Sequence, residues 1–187
     1  EANFPGLADH ALVEFDNRLW IIGGISGFSL QNKVWSSGDG VNWVEEVTAP
    51  FSTRITAAAV FDGKLWVISG SQVTSTDLSD VWSSTNGVDW TLKIENAPFL
   101  PKSLHTVESF SNHLWVLAGE SESPNPEESD FVSNTVWGSM DGTEWSMADE
   151  AMQFSARQSH QSIRFNDGIL LIGGFGDDFL NDVWFLD

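Results

Sequence analysis

The chain contains no cysteine and no tyrosine. Without thiols there is no disulfide, no thiolate nucleophile and no cysteine-based zinc site. Basic residues are scarce: eight Lys and Arg stand against 27 Asp and Glu, a formal charge of −19. That balance argues against a nucleic-acid partner, because nothing would neutralise phosphates. It argues equally against docking on an anionic membrane surface. No apolar run approaches the roughly 18 residues that a membrane span needs, so no membrane insertion is expected. No charged segment followed by an apolar run opens the sequence, so a secretory leader is expected to be absent or already removed. Helical periodicity is nearly missing as well, and the one short candidate, 147–152, reads as a loop turn. What is abundant is apolar: 41% of the 187 residues are hydrophobic, with ten Trp and thirteen Phe. A disordered acidic chain would not carry so many, and the length allows a real core in one large domain or two small ones.

The tryptophans fall in register. A first column ends in small residues: Leu19-Trp20-Ile21-Ile22-Gly23-Gly24, Leu65-Trp66-Val67-Ile68-Ser69-Gly70, Leu114-Trp115-Val116-Leu117-Ala118-Gly119 and Ile169-Leu170-Leu171-Ile172-Gly173-Gly174. A second is Val34-Trp35, Val81-Trp82, Val136-Trp137 and Val183-Trp184, and a third is Trp43, Trp90 and Trp145. These columns hold every Trp in the chain. One Phe column (Phe15, Phe61, Phe110, Phe165) precedes the first, and another (Phe4, Phe51, Phe99, Phe154) opens each unit. The Phe15 column steps by 46, 49 and 55 residues, and periods of this size with several short strands each predict propeller blades. Asp16-Asn17, Asp62-Gly63 and Ser111-Asn112 predict turns between strands one and two. Asp39-Gly40, Asn86-Gly87 and Asp141-Gly142 predict turns between strands three and four. The expected fold is therefore all-β, with four-stranded antiparallel blades in repeats of about 4–50, 51–98, 99–153 and 154–187.

The quartet, the Gly-Gly, the Val-Trp and the spaced Trp resemble the Kelch repeat. The hairpins 34–43, 81–90 and 136–145 are similar to the V-W-S-S-x-D-G-x-x-W hairpin of a bacterial Kelch-like type, with Asn86 for the Asp and Gly138 for the first Ser. They also resemble an Asp-box of sialidases shortened by one residue, a motif whose role is structural. The Kelch resemblance implies a β-propeller, usually of six or seven blades. Only four units are present, and the last ends three residues after Trp184, before any fourth strand. Three arrangements meet this count: part of a longer array, a four-bladed ring with one reduced blade, or two copies joined in a larger ring. Association with further blades or self-association is thus expected, since repeat units bury their faces against neighbours.

Three histidines, His10, His105 and His160, share one column before strand one, with Thr56 in that place in the second unit. Blades stand too far apart for such a column to converge on one ion, so a histidine bonded to backbone is expected, and no metal or other cofactor is expected. A basic column, Arg54, Lys102 and Arg157, lies in the blade-to-blade connections, with Leu7 in the first unit. It reads either as cations gripping an acidic ligand or as ion pairs to Asp80 and Asp182. What does not repeat points to function. The strand two-to-three loops differ: 25–31 carries Phe28, 175–180 carries Phe175, Asp177, Asp178 and Phe179, 71–78 is polar, and 120–133 is twice as long and rich in Pro, Ser and Glu. Asp177 and Asp178 lack the spacing of a calcium loop.

Copper-radical chemistry on this fold would need Tyr and Cys, and a sialidase would need a Tyr nucleophile. No phosphate loop or nucleophile elbow occurs. The expected role is non-catalytic: a recognition or scaffold module for a protein or carbohydrate, with Phe28, Phe175, Phe179, Asp177, Asp178, Arg54, Lys102 and Arg157 as binding candidates. A carbohydrate isomerase, epimerase or hydrolase is the alternative, as is an architectural segment of a long surface protein. A bacterial secreted or surface location is expected. Trp115→Ala is expected to cost roughly 3–5 kcal/mol, as for a buried aromatic.

Overall fold

The computed structural model describes residues 2–72, 77–121, 131–148 and 153–187. Among these residues every regular element is a strand. The first sheet takes β1 (Ala11–Phe15), β2 (Arg18–Ile22), then a small hairpin of β3 (Ile25–Ser26) and β4 (Ser29–Leu30), then β5 (Lys33–Ser37) and β6 (Val44–Thr48). The second has β7 (Ile55–Phe61), β8 (Lys64–Ser71), β9 (Asp77–Ser84) and β10 (Trp90–Ile94). The third has β11 (Lys102–Ser103), β12 (Thr106–Phe110), β13 (His113–Ser121), β14 (Phe131–Ser139) and β15 (Ser146–Met147). The fourth has β16 (Gln161–Phe165), β17 (Gly168–Ile172) and β18 (Val183–Leu186). Neighbouring strands in these meanders are antiparallel. The inner strands β1, β7, β12 and β16 touch in succession, so four blades stand around one axis as in a β-propeller. Among the described residues no comparable contact joins β16 to β1.

The turns follow their chemistry. Asp16, Asn17, Asp62, Gly63, Ser111 and Asn112 all have positive φ, which a two-residue hairpin of the favoured twist needs. The ends of the first column explain its small residues. Gly23, Ser69, Ala118 and Gly173 sit at φ 53–64°, and the glycines after them at φ 91–125°. A Ser or Ala tolerates the first conformation and only glycine the second. A Cβ on Gly24, Gly119 or Gly174 would also press on His10, His105 or His160.

Each motif closes its own hairpin. Ser37 Oγ accepts from Gly40 N at 2.9 Å, and Asp39 Oδ1 accepts from Val41 N and Asn42 N at 2.8 and 2.7 Å. Ser84 with Asn86, and Ser139 with Asp141, repeat these bonds. Asn86 serves because a single carbonyl oxygen accepts both amides. The first-column indoles Trp20, Trp66 and Trp115 donate to the carbonyls of Phe15, Phe61 and Phe110 at 2.9, 3.0 and 3.1 Å. The third-column indoles take the opening Phe rings edge-on: Phe4 with Trp43, Phe51 with Trp90 and Phe99 with Trp145, all at 5.3–5.4 Å.

The core is a series of seams between blades. Trp20, Ile22 and Val34 pack against Leu65, Val67 and Trp90. Trp66, Ile68 and Val81 pack against Leu114, Val116 and Trp145. Leu117, Val136 and Trp115 pack against Ile169, Leu171 and Trp184. Gly87 lies on the Trp20 ring and Gly142 on the Trp66 ring, so closely that an added Cβ would overlap the indole. The turn of one blade thus caps the indole of the blade before it. Trp115 corrects the expectation of a core indole: it is only half-buried, while Trp20 and Trp66 are 4% and 1% exposed. Among the described residues, the fourth blade has no strand beyond β18 to supply its cap. The turn expected over 147–152 starts in β15, and 149–152 lie outside the described residues.

Candidate binding face and central cavity

A cavity of about 370 Å³ opens at the axis, lined by the first halves of all four inner strands. The histidine column lies here because Asp9, Leu104 and Ser159, each at φ 50–53°, turn the chain into strand one just before the ring. The second unit lacks that residue. Arg54 runs straight into β7, and Thr56 Oγ1 donates to Ser69 O at 3.0 Å. His105 Nε2 lies 3.1 Å from Ile68 O of the second blade, and His160 Nε2 3.0 Å from Thr106 Oγ1 of the third. These rings tie each blade to its predecessor. Nδ1 of all three rings, His10, His105 and His160, is buried without a hydrogen-bond partner among the described residues. Among the described residues no group of three His, Asp or Glu gathers as a metal would require.

Burial pushes the imidazolium form out of this cavity. His105 is lowered to about 3 by desolvation, with Lys102 adding to it. His160 is lowered to about 4 by desolvation, with Arg157 and Lys102 adding to it. Burial also raises the Glu108 carboxyl, which accepts from Ser162 Oγ at 2.7 Å. As pH falls below 6.5 the unfolded chain takes up protons that the two buried rings refuse. Their contribution is therefore intact above pH 6.5 and declines toward pH 4, by about 1.4 kcal/mol per pH unit for each ring. Urea midpoints between pH 7 and pH 4.5 should fall, and His160→Gln should remove one ring's share of the histidine-dependent slope, to which His10, also lowered by burial, adds. An unaltered slope in His160→Gln would contradict a neutral buried ring.

The basic column is internal, which corrects its reading as a set of cationic grips. Arg54 is wholly buried. It donates to both oxygens of Asp80 at 2.5 and 2.9 Å, to Ser69 O at 3.2 Å, and to Ser52 O and Oγ at 3.0 and 3.4 Å. Arg157 repeats the pattern with Asp182 at 2.5 and 2.8 Å, Gly173 O at 2.9 Å, and Ser155 O and Oγ at 3.0 and 3.1 Å. That spends all five guanidinium donors on joining a connection to the end of strand two and the start of strand three. The Arg157 bond holds Asp182 far below the ordinary carboxylate range. Lys102, also buried, donates to Ala118 O at 3.1 Å and Thr135 Oγ1 at 3.4 Å, and desolvation lowers it to about 8.

The pairing varies in concert along the chain. Where the connection has Arg, the residue before Val-Trp is Asp; where it has Lys or Leu, that residue is Thr135 or Lys33. Asp80 and Asp182 also accept from Trp82 and Trp184 Nε1 at 2.7 Å. Trp35, beside Lys33, keeps a buried Nε1 with no partner.

The varied loops lie at the end of the blades where the connections run. Ile25 exchanges backbone bonds with Ala8, and Phe175 with Gln158. Phe28 is at the tip of the β3–β4 hairpin, 99% exposed. Phe175 and Phe179 meet edge-on at 5.4 Å, 38% and 84% exposed, beside exposed Asp177 and Asp178. Residues 73–76 and 122–130 of the other two loops lie outside the described residues.

Blades, axial cavity and loop-bearing rim define a protein of the β-propeller class. Among solved structures the chain is similar to YjhT, with a TM-score of 0.82 and 15% sequence identity, over 98% of this chain and 67% of that one. No family model matches the sequence, and no curated protein matches it.

Proposed function

We propose that this chain is a non-catalytic recognition module of Kelch-like type, and that it binds a protein or carbohydrate through the loop-bearing end of its blades. One observation carries the reading: Phe28 and Phe179 stand almost wholly in water on that end. An exposed phenylalanine adds nothing to the fold, while exposed aromatics supply much of the energy of recognition. Asp177 and Asp178 add acceptors for hydroxyl or ammonium groups beside the Phe175–Phe179 pair. Two of the axial histidines support a binding rather than a catalytic role, because Nε2 of His105 and of His160 is engaged across a blade seam. Peptide and glycan arrays probed with the wild type, with Phe28→Ala and with Phe175→Ala plus Phe179→Ala test the reading. The variants should lose at least tenfold in affinity for whatever the wild type retains, with melting temperature nearly unchanged. Undiminished binding, or a large fall in melting temperature, would refute it.

A further inference from the structure

The inner strands give the axial cavity two unlike walls. Apolar Ala11, Leu12, Ala57 and Ala58 come from the first two blades, and Thr106, Glu108, Gln161 and Ser162 from the last two. Glu108 breaks the repeat. It pairs with Trp115 across the hairpin, as Val13 pairs with Trp20, Ala59 with Trp66 and Ile163 with Leu170. Three blades thus carry an apolar side chain at this position, and one carries a carboxyl. The fold gains nothing by the exchange, because a half-buried carboxylate loses hydration that an apolar group never had. Proteins accept such local costs where a residue serves something other than the fold.

The surroundings of Glu108 leave its charge open. The Ser162 hydroxyl donates to Oε1 at 2.7 Å, and the Arg164 amide also supports the carboxyl. Among the described residues no ion pair includes Glu108. Arg164, on the facing strand, holds its guanidinium over the Phe110 ring at 5.9 Å. The cavity lining contains Asp9, Glu108 and three histidines but neither lysine nor arginine. At pH 7 His105 and His160 are neutral, lowered to about 3 and about 4, and burial lowers His10 as well. An anion therefore meets no counter-charge at the axis, and a neutral guest leaves the carboxylate unpaired. A cation gains a charge-assisted bond, and the field of a chain carrying −19 favours its approach. The apolar wall suits hydrocarbon, in keeping with small-molecule sites that combine apolar lining with a few placed polar groups.

We propose that the axial cavity is a binding site for a small organic ammonium ion. The Glu108 carboxylate is its counter-ion, the Ser162 hydroxyl orients that carboxylate, and the alanines and Leu12 of the first two blades receive the hydrocarbon body. The site is separate from the loop-bearing end, and either can fail without the other.

Cyclohexylammonium, cyclohexanol and cyclohexanecarboxylate are the probes: one hydrocarbon body with a positive, a neutral and a negative head. Each is titrated into the intact chain at pH 7 and followed by backbone amide shifts in nitrogen-15 NMR spectra. Cyclohexylammonium should give saturable shifts at Leu12, Ala58, Glu108 and Ser162. It should bind at least about tenfold more tightly than cyclohexanol, and cyclohexanecarboxylate more weakly than either. Glu108→Gln should bring the ammonium down to the level of the alcohol. Glu108→Val, which installs the residue of the first blade, should do the same with a melting temperature no lower than that of the wild type. As pH falls, the preference of the wild type for the ammonium should fade as the carboxyl takes up its proton. Asp9, His10, His105 and His160 also face the cavity and titrate in both chains, so the difference between wild type and Glu108→Gln isolates Glu108. Should either variant fail to fold, the order of the three heads in the wild type still decides the matter. No saturable shift with cyclohexylammonium up to its solubility, equal affinity for ammonium and alcohol, or tighter binding of the carboxylate overturns the proposal. So does an undiminished ammonium preference in Glu108→Gln, or a markedly lower melting temperature in Glu108→Val, because the carboxyl would then serve the seam.

Discussion

Trp66→Ala should lower the unfolding free energy by about 3–5 kcal/mol, the range for truncating a fully buried large aromatic. Three losses coincide at this position. The ring is 1% exposed and packs in the seam between the second and third blades. Its N–H no longer donates to Phe61 O. The Gly142 turn, shaped to lie flat on the indole, is left over a void. Trp115→Ala removes the same side chain from a half-buried position with no cap, and should cost distinctly less. Urea denaturation of the two variants beside the wild type gives the order directly. Equal losses would mean that the turn-over-indole contact contributes nothing.

Arg54→Ala should cost about 3–5 kcal/mol, because removing one member of a buried ion pair leaves the other uncompensated. Asp80 would keep only the Trp82 indole N–H, and Ser69 O and Ser52 O would lose their guanidinium donors. Arg54→Met with Asp80→Leu removes both charges and should recover much of the loss. Recovery stays incomplete, since Trp82 Nε1 is then orphaned. A double-mutant cycle read from denaturant midpoints measures the coupling. A cost of Arg54→Ala below about 1 kcal/mol, the value typical of exposed pairs, would contradict the buried clamp.

The blades could be read from the chain because their restraints are local. Asp62-Gly63 and Asn86-Gly87 make their own hairpins, and the Trp columns repeat at the period of the fold. The role of the basic column was harder to read from a single unit, since Arg54 alone suits a ligand or a partner equally. Matching it against the residue before each Val-Trp separates the two: Arg goes with Asp80 and Asp182, and Lys102 goes with Thr135. The capping of one blade's indole by the next blade's glycine left no local signal. Gly87 is already required by its turn, so the close approach to Trp20 hides behind a demand that hairpin geometry makes anyway. Trp115 looked equal to Trp20 and Trp66 for the same reason. Its sequence is theirs, and only its neighbour differs. The loop phenylalanines were visible as departures from the repeat, but only coordinates show Phe28 at the tip of a hairpin of its own.

Proton NMR of the folded chain tests the central claim, that successive blades interlock by seating each hairpin turn on the preceding indole. The α-protons of Gly87 and Gly142 should be shifted strongly upfield by the Trp20 and Trp66 rings and show Overhauser contacts to them. Those of Gly40, whose α-carbon faces the Leu19 methyl instead of a preceding blade's indole and whose carbonyl takes only its own Trp43 N–H, should lie well downfield of them. Ordinary shifts and no ring contacts at Gly87 and Gly142 would contradict it.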